Sequence, residues 1–147
     1  MANALYECYK QEALGDTAGP GHGAVDWETP GGNGIKASLM DSADYTVNLV
    51  THQDQVDLTD LGIVATSAAI TCTVSLSAGT ATVDASDWTW SAVSGDQSES
   101  VVIYLDSATD STSLLCIYYD AFSSGMPVTP NGGDINVTVN ASGLWTW

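Results

Sequence analysis

The chain contains no arginine, and Lys10 and Lys36 are its only lysines, set against 18 acidic residues. The formal net charge is therefore −16. That balance argues against a nucleic-acid partner, because phosphate contacts need clustered cations and the counterion release they bring. Docking on an anionic membrane surface fails for the same reason. Charge is scarce in total as well, at 14% of residues against a usual ~25%. Long apolar runs are missing. Val101–Leu105 and Leu114–Tyr119 fall far short of the ~20 residues that a membrane-spanning helix needs. The opening Met1-Ala2-Asn3-Ala4-Leu5-Tyr6-Glu7 has neither a basic start nor an apolar stretch, so no secretory leader is expected. Cysteine is limited to Cys8, Cys72 and Cys116, odd in number and widely spaced, which suits neither a disulfide framework nor a zinc site. Cys72 and Cys116 lie in alternating apolar segments and read as buried free thiols of a protein made in a reducing cytoplasm.

What is present is enough for a core. Of the 147 residues 44% are hydrophobic, with six Tyr and five Trp among them, which excludes disorder and suits a single domain over 1–147. Residues 1–15 read as a short helix. Asn3 is placed to cap it, Leu5, Tyr9 and Ala13 recur on one face, Leu14 extends that face, and Gly15 supplies a stop. Residues 16–34 form a Gly/Pro-rich loop in which Trp27 is expected to act as an anchor to the core.

The remainder, 35–147, reads as β. Ile35–Met40, Tyr45–Val50, Ile70–Leu76, Ala81–Val83, Trp88–Val93, Ser100–Leu105, Leu114–Tyr119 and Ile135–Val139 are short and rich in β-branched or aromatic residues. Gly, Asn, Asp and Ser bound them. In one segment Ile70, Cys72, Val74 and Leu76 share a face opposite Thr71, Thr73 and Ser75, and Trp88 and Trp90 pair in the same way. Ser77-Ala78-Gly79 predicts a hairpin turn, and 49–64 a polar loop or single helical turn. The expectation is a mainly β fold, an antiparallel β-sandwich or barrel-like domain of about eight short strands with one short N-terminal α-helix.

Chemistry-bearing patterns are thin. His22 and His52 are the only histidines, no Gly-x-Ser-x-Gly elbow is present, and no metal or cofactor signature appears, so the chain does not read as an enzyme. Asp54, Asp57 and Asp60, and separately Asp106 and Asp110, offer hard oxygen ligands. They lack a calcium-loop frame and read as solvated acidic loops, with calcium left open. Trp88 and Trp90 would stack on sugars only if exposed on a flat face; two tryptophans at that spacing more often belong to a core.

Several blocks carry a resemblance. They are Met1–Tyr6 leading to Ala13-Leu14-Gly15, Trp27, Ile35–Asp41, Ala43-Asp44-Tyr45-Thr46 with Thr51-His52-Gln53, Val64–Ser67, Ser86–Asp96, Val101–Tyr104, and Pro127-Val128-Thr129-Pro130-Asn131-Gly132-Gly133-Asp134-Ile135. In this order they resemble the small virion proteins of tailed bacteriophages known as capsid cement or decoration proteins. The chain departs from that pattern in a longer, Gly-richer loop over Thr17–Asn33 and in fewer cations.

The resemblance implies a structural protein with no catalytic residues and no cofactor. It would sit on the capsid exterior, with the major capsid protein as partner and itself as homotrimer partner, and stabilise the expanded shell. Strong negative charge suits such a position. The contacts are expected at Leu5, Tyr6 and Tyr9 on the helix face, at Trp27, and at Leu144, Trp145 and Trp147, since a Leu-Trp-Thr-Trp run is not readily left in water. The alternatives are a tail or adaptor component of the same virion and a carbohydrate-binding module.

Overall fold

The computed structural model describes residues 3–15, 25–30, 32–58, 62–120 and 125–147. It is mainly β, with ten strands and one α-helix among the described residues. Strands β1 (Ala4–Leu5), β2 (Gly34–Met40), β3 (Ile63–Thr66), β7 (Ser100–Asp106) and β8 (Leu114–Tyr119) form a five-stranded antiparallel sheet in the order β1-β8-β7-β2-β3. Strands β4 (Cys72–Ser77), β5 (Thr80–Ala85) and β10 (Trp145–Thr146) make a three-stranded sheet in the order β10-β5-β4. Strands β6 (Trp88–Trp90) and β9 (Ile135–Val137) make a ladder of two.

The centre of the molecule follows from two sequences. Leu114–Tyr119 is apolar at every position, and all six residues are buried; β7 is buried at all positions but Leu105. Alternation disappears where a sheet is covered on both faces, and these two strands are so covered. The helix α1 (Glu7–Ala13) packs against β8, where the Cys8 thiol lies 3.5 Å from the Leu115 carbonyl oxygen. From another side, Trp90 donates its indole N–H to the Ala37 carbonyl of β2 at 3.1 Å. The buried apolar residues make one cluster, which takes in Leu5, Tyr6, Tyr9, Trp27, Trp88, Trp90 and Leu144.

Five expectations change in the structure. The helix is shorter than 1–15 because Ala4 and Leu5 pair with Tyr118 and Ile117 of β8; it begins at Glu7 after an extended Tyr6. Asn3 is no cap: its side-chain oxygen accepts the Asp120 amide at 3.2 Å. Leu14 does not extend the buried face, being 88% exposed. Tyr45–Val50 forms no strand. Tyr45 closes a turn onto the Asp41 carbonyl, and the Asn48 side chain captures the amides of Val50 and Thr51, giving the backbone a local partner in place of a ladder. The loop expected over 49–64 does hold a single 3₁₀ turn, Gln55–Leu58, but its end and the residues after it form the edge strand β3.

The hairpin at Ser77-Ala78-Gly79 is present. Ala78 and Gly79 both have positive φ, 49° and 82°, as the tight turn that suits twisted strands requires.

Candidate functional site

Groups that sequence could nominate for chemistry are taken up by structure. His52 accepts or donates at Nδ1 to the Tyr45 hydroxyl over 3.0 Å, and Tyr45 reaches the Tyr6 hydroxyl over 2.9 Å. Burial pushes the Tyr45 phenol up to about 12 and raises Tyr6 well above its ordinary value, so both phenols stay protonated. His22 lies outside the described residues. Cys8, Cys72 and Cys116 are free and buried, as expected for the latter two. Burial pushes Cys8 up to about 12 and Cys72 up to about 11, and raises Cys116 further still, which leaves no activated thiol among them.

The acidic loops cap backbone. One Asp57 oxygen accepts the amides of Gln53 and Asp54 at 2.7 and 3.1 Å, and Asp60 lies outside the described residues. Asp106 binds Lys36 at 2.6 Å and the Ala108 amide at 2.7 Å. Burial alone would raise its carboxyl; the Lys36 ammonium, the Ala108 amide and the Asn33 side chain outweigh that and hold it below the usual range. Asp41, Asp44 and Asp96, a grouping that the sequence did not suggest, bring carboxylate oxygens within 4.8 Å of one another. Asp41 also accepts the Ala43 amide.

Burial likewise decides the aromatic residues. Trp88 and Trp90 share a face as predicted, but that face is core. They are 8% and 2% exposed and pack edge to face with centroids 5.7 Å apart. A flat, exposed sugar platform is thereby lost. Of the residues nominated for partner contact, Leu5, Tyr6, Tyr9, Trp27 and Leu144 are all buried within this chain. Tyr6 belongs to the hydroxyl relay. Trp27 does anchor its loop, donating its indole N–H to the Tyr9 hydroxyl at 3.0 Å. Trp145 is half-buried, leaving Trp147 at 50% exposure as the one nominee that is largely in solvent.

Trp147 does not stand alone. Ala81 exchanges both backbone hydrogen bonds with Trp147 and faces Leu76 across the β4–β5 ladder. Leu76, Ala81 and Trp147 therefore form a row across three chain segments. One row inward come Val74, Val83 and Trp145, also in register. The inner end of this face is sealed, with Cys72 and Val83 buried. The outer end is bare: Leu76 is 77% exposed and Val74 43%.

No protein-family model matches the chain, and no curated protein is significantly similar to it.

The bare face is thus the best-defined candidate surface among the described residues. It opens beside a pocket of about 390 Å³ lined by Tyr9, Trp27, Val74, Val83 and Trp147, with Asp26 and Glu28 among its other walls. The sequence did contain the alternation that puts Val74 and Leu76 on one face with Cys72. It gave no sign that the core ends between them.

Proposed function

We propose that this chain is a structural protein of a tailed-phage virion, a capsid cement or decoration protein that docks on the outside of the head and stabilises the expanded shell. The observation that carries the proposal is the uncovered apolar face of Val74, Leu76 and Trp147 on a molecule with a formal charge of −16. A protein this acidic repels its own copies and stays dispersed. An apolar sheet face left in water on such a molecule is a contact held in reserve. The order of sequence blocks that resembles the cement proteins names the partner as the major capsid protein.

The physical action is linkage. A protein that binds only the expanded lattice shifts the equilibrium toward it by mass action, whatever the internal pressure of the packaged genome. Assembly as a trimer would bring three copies of −16 together, so its joint must be apolar or removed from the acids. The face of Val74 and Leu76 is taken by the shell in this reading, and Leu5, Tyr6 and Tyr9 are already spent on the chain's own core, so neither supplies that joint.

Cosedimentation tests this. Purified protein is mixed with shells of its phage that lack it, before and after expansion. Saturable binding to expanded shells alone is expected, and Leu76→Asp, at an exposed position that leaves the core intact, should abolish it. Binding to neither form would overturn the proposal. A ring of six or twelve copies in solution would move the protein to the tail.

A further inference from the structure

The pocket beside the bare face has a chemistry of its own. Tyr9 and Trp27 form its floor, at right angles with centroids 5.8 Å apart and fixed by the indole-to-hydroxyl hydrogen bond. Trp147 rises as a wall, its ring centred 6.0 Å from that of Tyr9 and half in solvent. Two carboxylate side chains, Asp26 and Glu28, line the same cavity, and no lysine is among its described walls.

Both carboxylates are held in place. Asp26 is gripped by the Thr29 hydroxyl and by the amides of Thr29 and Glu28. The Thr29 hydroxyl first, and then those amides, keep it below the usual carboxylate range and therefore charged at neutral pH. Glu28 accepts the Val74 amide at 3.3 Å, which ties the acidic rim to the bare strand.

Aromatic faces attract cations through their quadrupole, and adjacent carboxylates add a Coulombic pull. An anion would be repelled, and a neutral ligand would gain only apolar burial. A cavity of about 390 Å³ has room for one ammonium or guanidinium group with its aliphatic stem. We infer that this pocket receives a lysine or arginine side chain presented by the protein on which the chain docks, with Trp147, Tyr9 and Trp27 as aromatic walls and Asp26 and Glu28 as counter-charges. Charge complementarity points the same way at larger scale, since a chain at −16 meets a basic surface more readily than any other. The identity of the partner rests on the docking proposal; the preference of the pocket for a cation does not.

The test uses the whole chain and small probes. The indole N–H signals of Trp27 and Trp147 are followed by NMR during titration with N-acetyl-arginine amide, with tetramethylammonium, and with 3,3-dimethylbutanol as a neutral shape match. Both cations are expected to move the two signals saturably, with dissociation constants of order 1 mM, and the alcohol to bind at least about fivefold more weakly. Glu28→Gln keeps the oxygen that accepts the Val74 amide, so its fold is retained. It should weaken both cations about threefold and leave the alcohol unchanged. Trp147→Leu should remove the cation preference. Equal binding of alcohol and cation, or no saturable shift with any probe, would overturn the inference. Either failure would leave shell binding through Leu76 untouched, and failure to bind shells would not alter this titration.

Discussion

Cys8 sits against the carbonyl oxygens of His52, Gln53 and Leu115, at 3.8, 3.7 and 3.5 Å, and Cys116 donates to the Leu114 carbonyl within the central sheet. Each thiol has traded water for weak acceptors in an apolar setting that disfavours its thiolate. With Cys8 pushed up to about 12 and Cys72 to about 11, a negligible fraction is ionised at pH 8. The folded protein should therefore show no rapid reaction with Ellman's reagent, and all three thiols should react once guanidinium unfolds it. A stoichiometric fast phase in the native state would contradict this burial. The Tyr6 and Tyr45 hydroxyls are likewise buried but satisfy one another, and His52 completes the chain.

At the scale of elements, the short strand β10 depends on the turn that delivers it. Gly143 has φ +80°, and a Cβ there would lie 2.6 Å from the Val83 carbonyl oxygen and 2.7 Å from Thr82 Cγ2. Gly79 has nearly the same φ with open space around it. Gly143→Ala is therefore expected to cost on the order of 2–3 kcal/mol, and Gly79→Ala about 1 kcal/mol, because only the former adds a backbone clash to left-handed strain. Thermal unfolding of the two variants checks this; equal shifts would show that Gly143 is not tightly packed against β5.

What sequence revealed at this scale follows from how locally each element is determined. Strands β7 and β8 were legible from near-continuous apolar runs, and β2 from Ile35, Ala37 and Leu39 alternating with Lys36 and Ser38. The β4–β5 turn was legible from Ser77-Ala78-Gly79. Strands β1 and β10, of two residues each, exist only through β8 and β5, and no local pattern announces such partners. Tyr45–Val50 misled for the opposite reason: its composition suits a strand, but Asn48 and Asp41 close turns around it. Trp27 was legible as an anchor because a lone tryptophan in a Gly/Pro-rich loop has little else to do. Its partner, the Tyr9 hydroxyl, was not.

The described residues combine a well-filled interior with an apolar sheet face that ends in solvent, on a chain of strongly acidic composition. Its charge balance was readable from two lysines set against 18 acids, and its β class from short β-branched and aromatic segments. The bare apolar face was not, because burial had to decide between apolar residues that look alike. Leu5, Tyr9 and Leu144 went inward, while Leu76 and Trp147, of similar character, stayed outside. At −16, self-repulsion disfavours any assembly that lacks an apolar joint, so in the proposed docking the row of Leu76, Ala81 and Trp147 would supply the apolar contact.

The most direct measurement is calorimetry of the shell itself. Expanded shells lacking this protein are scanned alone and with increasing amounts of it, beside the Leu76→Asp variant. The melting temperature of the shell should rise and level off at a fixed ratio of protein to capsid subunit, with no rise for the variant. An unchanged shell melting temperature at saturating protein would contradict the cement role.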